Sequence, residues 1–290
     1  MTGRAGSQRR VVALGCARSA GVTTTASALA RAWPEARPVL LAECDPAGGT
    51  LAATYGFPAE PGLGSLATAA RRRDEPDLVA EHCQALPGGA LLLAGPPSAE
   101  QARAALAMLG DTMPSLVGIG RDTLLDCGRL DPASPVMGLF TEADLALMVC
   151  RPLLPDLHAL AAWLQIHGEA LPRLAVVLTG AGPYRAAEVA DALGAEVLPG
   201  LPHDPRGVAQ LGAEASARRR ASRSPLLRAA HALAGQVLNR LPPLPAAPQT
   251  ESSSDPAVAA PIDAPAVQQP GEAAAGPGPH RDAFAGQVEQ

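Results

Sequence analysis

The chain has 290 residues, a net charge of −5 and an isoelectric point near 5.7, and 47% of its residues are hydrophobic. This length and composition suffice for one large core, whereas the negative charge does not favour nucleic acid as a partner of the whole chain. The sequence contains no lysine, so every basic residue other than histidine is an arginine. Neither this chain nor a second copy of it can therefore bring a lysine to a bound phosphate.

The five cysteines are scattered and form no C-x-x-C pair, which argues against a zinc motif and against a disulfide framework. No apolar run reaches the roughly 18 residues that a membrane span requires. We therefore expect a reduced, cytoplasmic protein with no transmembrane segment.

Continuous apolar runs that alternate with helix-like segments predict an α/β domain, with a mostly parallel sheet of about seven strands and helices on both faces. The predicted strands are Arg9–Gly15, Arg37–Pro46, Gly89–Ala94, Asp122–Gly128, Leu145–Cys150, Leu174–Leu178 and Glu196–Leu198. The predicted helices are Val22–Trp33, Gly62–Arg73, Ser98–Leu109, Pro155–His167, Tyr184–Leu193 and Ser224–Leu241.

The last predicted helix carries an apolar stripe, and only Arg228 and Arg240 are charged within it. Such a stripe packs on a sheet or binds a membrane surface, and the scarcity of cations favours packing. From Pro242 onwards the composition changes to proline, alanine, glycine, glutamine and serine, which cannot bury enough apolar area to offset the entropy of ordering. We predict one domain over residues 1–241 and a disordered tail over 242–290.

We predict that the functional site lies in the segment Leu14–Ala26. A strand, a loop of small residues and a helix N-terminus form a cradle for anions, because backbone N–H groups and the helix dipole both favour negative charge. A phosphate loop reads G-x-x-x-x-G-K-[ST]. Gly21 and Thr23 fit this pattern, but Val22 stands where the lysine belongs. The run Thr23-Thr24-Thr25 also fits a simple helix cap.

Two acidic residues end predicted strands at the same edge of the sheet. Asp45 ends the second strand and Asp126 the fourth, and ligands of such sheets bind outside the carboxyl ends of the strands. Each residue alone also fits an ordinary turn. Their combination with the loop favours a site for phosphate and a metal ion.

These segments resemble the ParA/MinD group of deviant Walker ATPases, in particular its degenerate actinobacterial MinD-like branch. The family loop K-G-G-x-G-K-T-[TS] corresponds here to Ala17-Arg18-Ser19-Ala20-Gly21-Val22-Thr23-Thr24. Glu43-Cys44-Asp45-Pro46 resembles the family's D-x-D-P strand end, Leu124–Gly128 its Walker B strand, and Leu198–Asp204 its late G-x-I-P-x-D loop. The resemblance covers Arg9 to Leu241 in unbroken order and implies a P-loop NTPase fold.

The resemblance implies ATP and Mg²⁺ as cofactors. It assigns Thr23 to Mg²⁺, Asp126 to Mg²⁺ through a water molecule, and Asp45 to the attacking water. It places Pro202 and Asp204 beside the base, in the segment Pro202–Arg206. The residues that it assigns to the phosphates are Arg18, Ser19, Ala20, Gly21, Val22, Thr23 and Thr24, with Arg18 as a substitute for the missing signature lysine.

Family members dimerise around two nucleotides and position chromosomes, division sites or secretion machinery. The resemblance therefore implies a homodimer, a protein partner from such a system, and the membrane surface or the nucleoid as peripheral locations. Ala17 and Val22 replace both family lysines, so we expect weak or lost hydrolysis, because phosphoryl transfer depends on electrostatic stabilisation.

Three alternatives remain open at this stage. The first is a non-hydrolysing pseudo-ATPase scaffold that acts only through protein partners. The second is a biosynthetic P-loop enzyme of related fold, for which the sequence shows no substrate pocket. The third is non-specific DNA contact by the basic cluster Arg218–Arg220 with Arg223, although this cluster also fits a solvated loop.

Overall fold

A computed structural model describes residues 10–18, 20–72, 78–110, 121–171, 173–211 and 224–243. The predicted tail lies outside these residues apart from Pro242 and Pro243, as does the basic cluster Arg218–Arg220 with Arg223. The strands are β1 (Arg10–Cys16), β2 (Val39–Glu43), β3 (Gln84–Ala85), β4 (Leu91–Leu93), β5 (Asp122–Arg129), β6 (Leu145–Cys150), β7 (Leu174–Thr179) and β8 (Glu196–Leu201).

Helices precede or follow most of the strands, as the alternating pattern predicts. They are α1 (Val22–Ala32), α2 (Leu51–Tyr55), α3 (Leu63–Ala70), α4 (Leu78–Glu81), α5 (Ala99–Leu109), α6 (Met137–Thr141), α7 (Leu154–His167), α8 (Ala186–Leu193), α9 (Pro205–Ala209) and α10 (Pro225–Leu238), with a short 3₁₀ turn at Gly168–Ala170. Among the helices within the described ranges, none is long and apolar enough to cross a membrane.

The eight strands form one sheet in the order β3-β4-β2-β5-β1-β6-β7-β8. Every neighbouring pair is parallel except β3 and β4. In this register Asp126 of β5 is level with Leu14 of β1 on one side and with Glu43 of β2 on the other. The α/β prediction is confirmed, and the carboxyl ends of β1, β2 and β5 meet at one edge.

Helices cover both faces of the sheet, so successive residues of its central strands enter two different cores. Val12 and Leu14 of β1 belong to the core under α1 and α10, whereas Val11 and Ala13 belong to the core under α3, α5 and α7. Burying a side chain of the size of valine or leucine stabilises the fold by about 1.5–3 kcal/mol. Strands that are buried on both faces lack polar alternation, which is why they appear in the sequence as continuous apolar runs.

The apolar stripe of the last helix packs against the protein itself. Its buried residues are Leu226, Leu227, Ala230, Leu233, Ala234 and Val237. They join the core that α1 and the central strands line. The packing interpretation of this stripe is therefore confirmed.

Asp122 ties three elements together at the amino ends of the central strands. Arg10 donates from Nε (2.8 Å) and from Nη2 (2.5 Å) to its carboxylate, and Arg37 donates from Nε at 2.9 Å. Trp33, which follows α1, donates its indole N–H at 3.0 Å. This buried anchor holds the start of β1, the approach to β2 and the end of α1 against β5.

Candidate functional site: a phosphate-type loop with two acidic strand ends

The end of the loop between β1 and α1 is described from Ala20 onwards. Gly21 adopts a left-handed conformation (φ 80°, ψ 40°) and precedes the first residue of α1. Thr25 donates its backbone N–H and its hydroxyl to the Gly21 carbonyl, each at 2.9 Å. No described side chain caps the helix, and its first turn contains no acidic residue. The cap interpretation of the three threonines is therefore wrong, and the N-terminus of α1 keeps its positive end for a ligand.

Cys16 occupies the first glycine position of the loop pattern when Gly21 is taken as the second. Its thiol is buried and lies 3.6 Å from the carbonyl oxygen of Gly128. The pKa of the Cys16 thiol is raised to about 11, mainly by burial. The charges of Asp126 and Asp45 also raise this pKa, whereas the Ala20 N–H lowers it. Cys16 is therefore a neutral packing residue at physiological pH.

Asp126 is a fully buried carboxylate at the carboxyl end of β5. Its Oδ1 accepts the N–H of Gly128 at 3.1 Å, whereas its Oδ2 has no hydrogen-bond partner among the described residues. Burial raises its pKa to about 7, with Glu43 and Asp45 adding to the rise and the Thr23 hydroxyl and the Gly128 N–H opposing it. Thr23 is thus close enough to act on this carboxyl, although it makes no well-formed hydrogen bond to Oδ2.

Asp45 follows β2 and lies over Gly128. Its Oδ1 accepts the N–H of Ala47 at 2.8 Å, which is the turn contact that the sequence left open. A Cβ built on Gly128, which has a φ of 58°, would lie 2.1 Å from Cγ and Oδ2 of Asp45. Burial raises the pKa of Asp45, and the Ala47 N–H lowers it. Glycine at 128 therefore lets the Asp45 carboxylate pack against β5, two residues after Asp126.

Glu43 is a second buried acid at this edge, and the sequence did not reveal its role. Its Oε1 accepts the N–H groups of Thr50 (2.6 Å) and Leu51 (3.0 Å), and its Oε2 accepts that of Gly95 (3.0 Å). Burial raises its pKa, whereas these three bonds lower it. Glu43 therefore holds the start of α2 and the loop after β4 beside Asp45.

A cavity of about 380 Å³ opens beside the loop. Its lining includes Ala20, Gly21 and Thr24 from the loop side, and Pro202 and Asp204 from the segment after β8. Thr179, at the end of β7, also lines the cavity and donates its hydroxyl to the Ala20 carbonyl at 2.8 Å, which ties the loop to β7. The structure thus brings these five sequence-predicted residues to one cavity, whose described lining does not include Thr23, Asp45 or Asp126.

The carboxylate of Asp204 is committed to the protein itself. It caps α9 by accepting the N–H of Gly207 at 2.9 Å, and it accepts the Ser224 hydroxyl at 2.8 Å. These bonds hold the pKa of Asp204 below its ordinary value. Asp204 therefore shapes the wall of the cavity and joins it to the start of α10.

The two positions of the missing lysines differ in their surroundings. Val22 is buried and packs in the core under α1. Arg18, the predicted substitute, is 57% exposed, and its Nε lies 3.5 Å from Oδ1 of Asp156 in the first turn of α7. Arg18 is not among the described residues that line the cavity, whereas Arg151, which the sequence did not single out, is one of them. Ser19 lies outside the described residues.

Within the described ranges, no group of three histidine, cysteine, aspartate or glutamate side chains is arranged to hold a metal ion. A magnesium ion does not need such a group, because it is usually held by one or two side chains together with phosphate oxygens and water. Thr23 and Asp126 have the oxygen chemistry of that arrangement.

Comparisons with known proteins place this geometry in a structural group. No protein-family model matches the sequence, and the comparison with curated proteins gives no match. The structure is similar to a ParA family ATPase from Chlorobium tepidum TLS, with a TM-score of 0.66 and 19% identity over 79% of this chain and 98% of that one. It is also similar to the cell division ATPase MinD from Pyrococcus furiosus, with a TM-score of 0.63 and 19% identity over 79% and 98%.

A third similar structure is the cobyrinic acid a,c-diamide synthase from Mycobacterium smegmatis with bound ADP and magnesium, at a TM-score of 0.56 and 19% identity over 79% of this chain and 94% of that one. The fold that the sequence resemblance implied is confirmed. The chain has the fold of the ParA/MinD group of P-loop ATPases.

Proposed function

We propose that this protein binds ATP with Mg²⁺ at the loop between β1 and α1, with the nucleotide extending into the cavity beside the loop, as a ParA/MinD-like nucleotide-binding protein. The observation that carries the proposal is Oδ2 of Asp126, a buried carboxylate oxygen without a hydrogen-bond partner among the described residues, next to Thr23 at the start of α1. A buried charge of this kind is costly unless a cation or hydrogen bonds compensate it.

The residues present fit a magnesium ion. The Thr23 hydroxyl would hold it directly and Asp126 through a water molecule, while the backbone N–H groups of Gly21–Thr24 would bind the phosphates. When bound, the ion neutralises charge on the phosphate oxygens. The similar synthase structure contains ADP and magnesium, which supports the same ligand class for this fold.

Hydrolysis is expected to be weak or lost. Asp45 is the residue that we assign to orienting the attacking water, because its carboxylate packs against Gly128, two residues after Asp126. Val22 supplies no charge to the transferred phosphoryl group, and a missing donor in a water-excluded site raises the barrier by about 3–4 kcal/mol. Such a loss slows turnover by two to three orders of magnitude.

In the cell we infer a role in positioning or partitioning a structure such as a chromosome, a division site or secretion machinery. The similar proteins include a ParA family ATPase and a cell division ATPase. We expect a homodimer in the cytoplasm that works with a protein partner of such a system. Non-specific DNA contact by the basic cluster Arg218–Arg220 with Arg223 stays a prediction, beside the alternative of a solvated loop.

The second candidate is a pseudo-ATPase scaffold that acts only through protein partners. The buried position of Val22 favours it, because this residue contributes to the core where an active ATPase would contribute a cation. The two candidates differ in whether nucleotide is bound at all.

Calorimetric titration of the full chain with ATP, with and without Mg²⁺, separates them. We expect Mg²⁺-dependent binding that Asp126→Asn weakens by about tenfold or more, because the variant removes the carboxylate. Asp131→Asn is the control, since Asp131 is an exposed acid that follows the same strand. Absence of binding at millimolar nucleotide would reject the nucleotide-binding proposal and leave the scaffold.

A further inference from the structure

The cavity beside the loop needs a positive charge if it holds phosphates, and the chain has no lysine to provide one. Of the described residues that line this cavity, only Arg151 carries a formal positive charge. Arg151 lines the cavity together with Gly21 and Thr24, although it is distant from the loop in sequence. Arg151 directly follows β6, which ends at Cys150 and pairs with the part of β1 that precedes the loop.

The backbone around Arg151 is held in place by close packing. Its carbonyl oxygen accepts the N–H of Leu153 at 2.7 Å. The next residue, Pro152, is buried, and its carbonyl oxygen would lie 2.1 Å from a Cβ built on Gly182. Glycine at 182 therefore allows the turn after β6 to pack against the segment after β7, which fixes where the Arg151 side chain begins.

The guanidinium of Arg151 is oriented by Asp156. Its Nε donates to Oδ2 at 2.5 Å and its Nη2 donates to Oδ1 at 3.2 Å. Asp156 is 3% exposed, whereas the Arg151 side chain is 48% exposed. Nη1 makes no hydrogen bond to any described residue, so this nitrogen of the guanidinium is available to donate to an anionic ligand.

Asp156 is shared between two arginines, because Arg18 of the loop also lies against its Oδ1 at 3.5 Å. Two arginines therefore share one carboxylate, and the three side chains together carry a net positive charge. A guanidinium with a fixed orientation is well suited to phosphate, since it forms charge-assisted hydrogen bonds with defined geometry.

We propose that Arg151 is the cation that binds the phosphate groups of the nucleotide in this cavity, in place of the lysine that Val22 has replaced. Asp156 orients Arg151, and Arg18 acts on the site only through Asp156. The inference rests on the proposed nucleotide binding and names the residue that provides its charge.

The test compares Arg151→Gln with Arg18→Gln in the full chain, using calorimetric titration with Mg²⁺–ATP. Both variants remove one arginine from Asp156, but only the first removes a charge from the cavity. We expect Arg151→Gln to weaken ATP binding by between about tenfold and a hundredfold, and Arg18→Gln to change it by less than about threefold. Arg151→Lys should recover part of the affinity, because it keeps the charge but not the fork.

Salt dependence is the second measurement. Affinity for ATP should fall less steeply with salt in Arg151→Gln than in the wild type, because one charge–phosphate contact is gone. Equal ATP affinity in Arg151→Gln and wild type would overturn the inference and leave nucleotide binding intact. An equal loss in Arg18→Gln would also overturn it, since the effect would then come from Asp156. Absence of ATP binding by the wild type would reject the proposed function and this inference together.

Discussion

Asp122 and Asp126 lie four residues apart on β5 and have opposite electrostatic surroundings. Asp122 accepts hydrogen bonds from Arg10, Arg37 and Trp33, whereas Asp126 has no arginine partner among the described residues. Burial raises the pKa of both carboxyls, but at Asp122 the three donors outweigh it and the pKa falls below its ordinary value. One end of the strand is therefore a structural anchor, and the other is an uncompensated acid available to a cation.

Asp126→Asn should stabilise the ligand-free protein at alkaline pH. The folded-state pKa of Asp126 is about 7, above its unfolded value, so its contribution is complete below about pH 4 and is lost as the pH rises through 7. At pH 8 the variant should be more stable by up to about 4 kcal/mol, with no difference at pH 4. Urea unfolding at both pH values measures this. An equal difference at the two pH values would contradict it.

Asp122→Asn should destabilise the protein by about 3 kcal/mol at pH 7, because Arg10 would be left buried with a neutral partner. The pH dependence has the opposite sign from that of Asp126. Since the folded-state pKa of Asp122 is lowered, its contribution is present above about pH 4 and is lost as the pH falls through the folded-state value. Urea unfolding of wild type and variant between pH 6 and pH 3 should show the two curves converging at the acidic end. Parallel curves would contradict this assignment.

Glu43→Ala should loosen the segment between β2 and α2. Three backbone N–H groups, those of Thr50, Leu51 and Gly95, would lose their acceptor, at a total cost of at least about 3 kcal/mol. Glu43→Gln keeps the acceptor for two of them and should cost about 1 kcal/mol. Amide hydrogen exchange at these three residues is the direct measurement. Unchanged protection in Glu43→Ala would show that Glu43 does not hold this segment.

Val22→Lys should increase ATP hydrolysis by about a hundredfold, because it returns an ammonium group to the loop. Val22 is buried, so the lysine stem would fill its space while the charge extends towards the phosphates. The control is Val22→Met, a flexible apolar side chain that should leave hydrolysis unchanged. Steady-state phosphate release measures both. If Val22→Lys hydrolyses ATP no faster than Val22→Met, the missing lysine is not what limits turnover.

The central strands could be predicted from sequence because burial on both faces leaves only apolar residues in them. Leu145–Cys150 is predicted with the bounds that the structure has. The last strand extends beyond its predicted end at Leu198 to Leu201, through Pro199 and Gly200. It lies at the edge of the sheet, where a proline needs no partner for the N–H that it lacks. The two-residue strand Gln84–Ala85 is too short to carry a pattern.

Site residues that directly follow a strand could be predicted from the sequence. Residues that reach the site only through the order of the strands in the sheet could not. Gly21, Asp45 and Asp126 follow apolar runs, and parallel pairing alone brings such ends together. Arg151 reaches the cavity only because β6 is the neighbour of β1, which a single sequence does not encode in any local pattern. Glu43 was missed for a related reason, since its three partners come from two segments outside its own strand.

The most direct test of the central claim is a crystal structure of the full chain with ADP and Mn²⁺, in which anomalous scattering locates the metal ion. We predict a metal peak beside the Thr23 hydroxyl, one water molecule away from Asp126, with the phosphates against the loop and Arg151. Nucleotide bound elsewhere, or a metal ion that does not approach Thr23 and Asp126, would contradict the account.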